Sequence, residues 1–371
     1  MPVSYNSRRI LQSLLVHGLA KAYKLLEKMR VVQPQPLSAE DLKRFHSADF
    51  IDFLMAAERE RGDNDATDSD DSRKNFESDE NDEDGQTYDQ KLEEFGLEHD
   101  CPVFPGLADY VRHVAGGSVA AARELTSGRC DVAVCWDGGR SEAHGFCYVS
   151  DVALAIIELR AKFDRVMYID LDIHHGDGVE GAFLFTDKVL TVSLHRYGQG
   201  FFPGTGAVTT IGKGKGTGYT LNVPLKSGLR GATLERVFDE VVLRASERFG
   251  PNAVVVQCGA DGLTGDPVGE WNVSAQSIAN CVKRIVGQGK PVLLLGGGGY
   301  NSPNVARCYV HILSQILRVP LKTDIPEHPY FELYTPDFSL FVDEGNQRDW
   351  NDKLYVDEVI GRVQGMIDWM R

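Results

Sequence analysis

The chain has 371 residues, 42% of them hydrophobic, enough for one large α/β domain or two ordinary ones. No apolar run approaches the roughly 20 residues of a membrane span, and the N-terminus lacks a signal-peptide pattern. Of the formal charge of −15, Asp63–Asp89 carries −10 (twelve acidic residues against two basic), which leaves only −5 elsewhere. No strongly basic face remains, so direct binding of nucleic acid is not expected. The seven cysteines are odd in number and form no C-x-x-C, a usage that points to reduced core thiols and an intracellular setting.

In chain order, residues 7–30 predict an amphipathic helix through Leu11, Leu14, Leu15, Leu19 and Leu26, ended by Pro34 and Pro36. Ser38 with Asp41 suits a capping box for a second helical region through Phe45, Phe53 and Leu54. Residues 61–90 lose almost all apolar content and read as a disordered acidic insertion, because they cannot bury enough surface to offset their ordering entropy. From Gly106 onward, apolar strands alternate with helices. Strands are expected at 131–136, 166–171, 189–194, 219–225, 253–258 and 291–295, with helices over 107–127, 150–163, 231–249, 274–288 and 303–318. Such alternation predicts a mainly parallel sheet covered on both faces, in a single domain that the acidic insertion interrupts.

One stretch stands out, Y-I-D-L-D-I-H-H-G-D-G over Tyr168–Gly178. Its strand ends in Asp170, Asp172, His174, His175 and Asp177, and buried charges are costly unless paired or bound to metal. A lone D-x-H is ordinarily a capped strand-to-helix turn. Here, however, the other unusual loops also follow strands, where ligands collect in parallel α/β folds. They are D-G-G-R-S-E-A-H-G-F-C-Y, G-A-D-G-L-T-G-D-P and G-G-G-G-Y-N. Asp172 and His174 with a third aspartate, Asp261 or Asp266, would make an Asp/His/Asp metal set with an open position, as in catalytic zinc. Gly296–Gly299 would let the backbone approach closely and present Tyr300 as an oxyanion donor. A phosphate loop is disfavoured there, since G-x-G-x-x-G from Gly296 would need glycine where Asn301 stands.

These motifs, with S-L-H-R-Y-G-Q-G-F-F-P-G-T-G, resemble those of class I zinc-dependent histone deacetylases from about Leu11 to the C-terminus, the insertion excepted. The resemblance implies a single three-layer arginase-like domain spanning 1–371, with a central, mainly parallel eight-stranded sheet. It selects Asp266 as third zinc ligand beside Asp172 and His174, and makes Tyr300 the transition-state tyrosine. Asp170 and Asp177 match the aspartates that orient a catalytic histidine pair. Asp100, Gly145, Phe146 and Phe202 match residues that hold the acetyl-lysine chain. Structural potassium would sit near Asp170, Asp172, His174, Ser193 and Leu194, and a second near Phe183, Thr186, Val189 and Tyr219. The implied function is hydrolysis of N6-acetyl-lysine on histones or other proteins, with transcriptional repression, possible corepressor partners, and a nuclear location with a cytoplasmic share.

Two departures matter. The family pattern W-x-G-G-x-H-H-A-x-K/R-x-E-A-x-G-F-C-Y is five residues shorter here, between Arg140 and Ser141, and both histidines are lost. The family's first strand and the loop before the Leu11 helix are also largely missing. Strongly reduced turnover is therefore expected, with zinc binding retained. A non-catalytic acetyl-lysine-binding or scaffold protein and an acetylpolyamine amidohydrolase are the rival expectations.

Overall fold

The computed structural model of the chain describes residues 5–62, 87–139 and 147–370. Six parallel strands form one sheet: β1 (Val132–Cys135), β2 (Val166–Asp170), β3 (Val189–Arg196), β4 (Thr220–Leu225), β5 (Ala253–Gln257) and β6 (Val292–Leu295). Five fall within the predicted runs, and β3 extends two residues past its predicted end at 194. Their order is β1-β6-β5-β2-β3-β4. The residues of β2, β4, β5 and β6 are all buried, as expected where helices cover both faces of a parallel sheet.

Alternate side chains sort onto those two faces. Met167, Ile169, Leu190, Val192, Val254, Val256 and Leu294 join a core with α1 (Tyr5–Ala22) and the helices that follow β4. Tyr168, Val189, Val255, Leu293 and Leu295 face Ala122 of α5 (Leu107–Thr126), Ile156 of α6 (Asp151–Arg160) and Val179 of α7 (Asp177–Phe183). Between α1 and α5 come α2 (Ala39–Leu42), α3 (Ala48–Gly62) and α4 (Tyr88–Glu94), whose apolar residues make a satellite core with α5. After β4 run α8 (Gly231–Val237), a π-turn (Phe238–Leu243) and α9 (Arg244–Phe249), then α10 (Ala275–Val286), α11 (Ser302–Leu317) and α12 (Lys353–Trp369). Each fully buried Val, Leu or Ile stabilises the fold by about 1.5–3 kcal/mol.

Three expectations change in detail. The first helix stops at Ala22 because Lys24 takes a left-handed conformation (φ 59°), and a 3-10 turn covers Leu25–Lys28. Ser38 and Asp41 do form the capping box. Both ends of the expected 61–90 insertion are helical, since Gly62 ends α3 and Thr87 caps α4, while 63–86 lie outside the described residues. The described residues hold six strands where the resemblance implies eight. Residues 30–38 have no regular secondary structure and stay out of the sheet. Leu37 exchanges its backbone groups with Arg112 of α5, and Pro34 and Pro36 lack the N–H a ladder requires.

None of the seven cysteines forms a disulfide. Among the described residues no helix is long and apolar enough to cross a membrane.

Burial also sets an acid limit on the fold. His46 accepts a hydrogen bond from the Ser150 N–H at 3.0 Å, and desolvation lowers its pKa to about 4. A folded-state pKa below the unfolded value near 6.5 means stability complete above pH 6.5 and lost as pH falls towards 4. The melting temperature should therefore drop between pH 7 and pH 5, and His46→Gln, which keeps an acceptor but cannot titrate, should shrink that drop. Equal drops in both proteins would contradict this assignment.

Candidate metal centre

The chain crosses the middle of the sheet in a way that builds a site. From β2 it goes outward to β3 and β4, then returns to the other side of β2 with β5 and continues to β6. Asp170, the last residue of β2, is thus flanked by Ser193 of β3 and Gln257 of β5. This is a topological switch point, where loops leaving the carboxyl ends diverge and leave a crevice. The loops after β2, β5 and β6 all open into it.

Asp172 and His174 enter from the first of these loops. The His174 Nδ1 lies 3.0 Å from Asp172 Oδ1 and 3.0 Å from Asp261 Oδ2. Asp172, His174 and Asp261 each offer a ligand atom, and these atoms lie within 4.8 Å of one another. The Gln257 Nε2 (3.1 Å) and the Gly298 N–H (2.6 Å) both donate to Asp172 Oδ2. Asp261 also accepts the Ile173 N–H at 2.9 Å, and its side chain is fully buried.

Asp266 lies outside that tight group. Its Oδ1 accepts the Val268 N–H (3.0 Å), and its Oδ2 accepts the N–H groups of Tyr300 (2.7 Å) and Asn301 (3.3 Å). The loops of β5 and β6 are thereby clamped together beside the cluster, which fixes the backbone of Tyr300. Asp170 is bonded below, accepting the Tyr168 hydroxyl (2.6 Å) and the Asp172 N–H (3.0 Å). Asp177 is only partly buried, opens α7, and accepts the Gly178 N–H at 2.8 Å.

The electrostatics are those of a cation site. Burial raises the pKa of Asp170 well above its usual value, with the Asp172 charge adding to the effect. Burial and then the charge of Asp172 push Asp261 up to about 7. Burial raises Asp266 as well. Asp172 alone stays low: burial opposes its ionisation, but hydrogen bonding and charge from His174 prevail. For His174, burial favours the neutral ring, yet the two carboxylates together raise its pKa to about 11. The carboxyl groups of Asp172 and Asp261 converge on one imidazole, and this set of oxygen and nitrogen donors suits a divalent metal such as zinc. The donor set fits the group.

The tetraglycine run approaches as closely as expected. A Cβ on Gly298 would overlap the Oδ2 atoms of both Asp261 and Asp172. Gly298→Ala should displace the carboxylates at a cost of about 1–3 kcal/mol, weakening zinc binding roughly tenfold or more. Zinc titration of the folded variant measures this; unchanged affinity would show the Asp pair to be irrelevant to the metal.

Of the substrate residues, Phe202 is 42% exposed at the mouth of the site and meets the His174 ring edge-on at 5.9 Å, while Phe201 stacks flat on it at 5.2 Å. Asp100 is partly exposed in the turn after α4. Arg140–Phe146, and so Gly145 and Phe146, lie outside the described residues. Sequence reasoning missed Gln257 and the pairing of Tyr168 with Asp170. Both had a signal, a polar group facing the same way as a charged one at a buried strand end.

The Histone deacetylase domain model matches residues 5–316. The chain belongs to the histone deacetylase family. It is 42% identical over 356 residues to Histone deacetylase 8 of Danio rerio, covering 95% of this chain and 88% of that protein. It is 40% identical over 354 residues to Histone deacetylase 1 of Homo sapiens, covering 94% of this chain and 68% of that protein. Histone deacetylase 19 of Arabidopsis thaliana is 41% identical over 350 residues, with 93% and 65% covered. Membership makes the chain a hydrolase of the deacetylase class, and its single α/β domain with a parallel sheet accords with the arginase-like fold expected.

Proposed function

We propose that this chain is a zinc-dependent protein-lysine deacetylase, hydrolysing N6-acetyl-lysine on histone tails or other proteins to lysine and acetate. The observation that carries the reading is the Asp172–His174–Asp261 group at the switch point, with Asp266 and Tyr300 clamped beside it. Relatives named histone deacetylases over nearly the whole chain support it.

Asp172, His174 and Asp266 would hold the zinc. Asp261, fully buried and already bonded to His174 and to the Ile173 N–H, would brace the ligand loop from behind. Three protein ligands would leave a coordination position for water or substrate, as a catalytic zinc requires. When bound, zinc supplies Lewis-acid polarisation of an amide carbonyl and a place for the attacking water. The Tyr300 hydroxyl donates to the oxyanion that develops on the carbonyl. Phe202, with Phe146 and Gly145, lines the lysine chain, and Asp100 holds the substrate backbone at the rim. Potassium near Asp170 and near Phe183 rests on the resemblance alone. A nuclear role in transcriptional repression, with corepressor partners and a cytoplasmic share, completes the reading.

Asp170 and Asp177 would orient a proton-transferring histidine pair that the sequence lacks between Arg140 and Ser141. General acid–base catalysis contributes about 10²–10⁴-fold, so turnover should be reduced by that order. The absent pair equally favours a second reading, an acetyl-lysine-binding protein without turnover. An acetyl-lysine peptide assay with and without a zinc chelator separates the two. Slow, chelator-sensitive release of acetate supports the enzyme; tight peptide binding without acetate supports the second. Tyr300→Phe should lower the remaining kcat by about 10²–10³-fold, and a variant as active as the parent would remove the tyrosine from the mechanism.

A further inference from the structure

The loop joining β3 to β4 carries Phe201 and Phe202, and it is gripped twice by consecutive residues of the metal loop. The first grip is His174, whose ring lies parallel to Phe201, 9° between planes. The second is His175, which no part of the chemistry above uses. Its side chain is 1% exposed. One ring nitrogen, Nε2, lies 2.9 Å from Glu180 Oε2, and the other, Nδ1, lies 2.8 Å from the Thr205 hydroxyl. The ring therefore bridges the Glu180 carboxylate at Nε2 and the Thr205 hydroxyl at Nδ1. Glu180 is held in turn by the Asn222 Nδ2 at 2.7 Å. Behind them Gly206 (φ 90°) lies so close that a Cβ would overlap the rings of both His195 and His175. Phe202, the exposed wall of the site, lies between the two grips at Phe201 and Thr205.

We propose that His175, Thr205 and Glu180 are positioning residues that set the Phe202 wall against the metal loop, governing how tightly the acyl-lysine chain is held without entering the reaction. The proposal rests on the deacetylase reading in one respect, that Phe202 meets the substrate.

The test uses the zinc-loaded full chain and Thr205→Val, a near-isosteric change at an exposed position that removes the hydroxyl bonded to His175. Loss of one such bond is expected to raise amide exchange in residues 198–206, and both Kd and KM for an acetyl-lysine peptide, by about fivefold, with kcat within about twofold. Zinc stoichiometry stays unchanged, and Thr205→Ser restores parental exchange and Kd. Unchanged exchange, unchanged peptide affinity despite a looser loop, or a serine variant no better than valine would each overturn the proposal. A parent chain that takes up zinc but binds no acetyl-lysine peptide overturns the deacetylase reading, and the substrate role with it. The exchange comparison still decides whether His175 grips the loop.

Discussion

His174→Ala is expected to abolish stoichiometric zinc uptake and to bring acetyl-lysine hydrolysis down to the uncatalysed background. The imidazole is the only nitrogen donor in the Asp172–His174–Asp261 group. Losing it leaves carboxylates that favour harder cations over zinc, and metal polarisation is worth several kcal/mol, a factor of about 10³ or more. Inductively coupled plasma analysis of zinc per chain, beside the peptide assay, reads both effects. The same measurement on the aspartates resolves the third ligand. Asp266→Ala should lose zinc, whereas Asp261→Ala should weaken the metal while lowering the melting temperature, because Asp261 also ties down Ile173 and His174. Zinc loss from the Asp261 variant with full retention in the Asp266 variant would reverse the assignment.

Zinc uptake should also depend on pH in a definite sense. In the metal-free chain His174 holds its proton up to about pH 11, and zinc needs the neutral ring. Uptake must therefore release protons, and apparent affinity should climb as pH rises from 6 to 8. The metal-free ion pair contributes stability in the opposite sense. It is fully present below pH 6.5, the unfolded value, and lost as pH rises towards 11.

The second large effect concerns the loop before Phe146. Inserting His-His-Ala-Xaa-Lys between Arg140 and Ser141, to match the family pattern, should raise kcat/KM by about 10²–10⁴-fold. The two aspartates proposed as partners for such a pair are present in the fold. Asp170 is buried and bonded beneath the metal loop, and Asp177 stands at the start of α7. On the near side of the insertion point the Gly139 N–H is fixed to Asp151 Oδ2 at 3.0 Å, so the added residues extend from an anchored position. Five residues correspond to as much as about 17 Å of extended chain, enough to change where Gly145 and Phe146 reach. Peptide turnover by the inserted and parental chains, at equal zinc content, measures the gain. No gain would mean that the short loop does not limit turnover.

The strands could be read from the chain because their side chains meet the same surroundings on both faces. Runs such as Ala253–Val256 and Val292–Leu295 are apolar without interruption, as strands buried on both faces of a covered parallel sheet are. The long C-terminal helix was missed by the sequence reading, although Asp352 caps it and Val356, Val359, Ile360, Val363 and Ile367 recur at helical spacing. Asp172 and His174 were legible because a charged cluster at the end of a buried strand needs a partner. The choice between Asp261 and Asp266 was not, since both lie in one short loop and composition is blind to which points inward.

Local pattern thus determined the α/β class, six of the strands, the metal loop and the acidic segment, since each depends on residues close in sequence. Tertiary structure alone decided three other features. The order of strands, with β3 and β5 on opposite sides of β2, creates the crevice that Asp170 and its neighbours line. The irregular 30–38 segment bonds to α5 through Leu37 instead of joining the sheet. His175, Glu180, Asn222 and Thr205 meet across spans of up to 42 residues. Such contacts are set by which surfaces the sheet brings together, and no local periodicity encodes them.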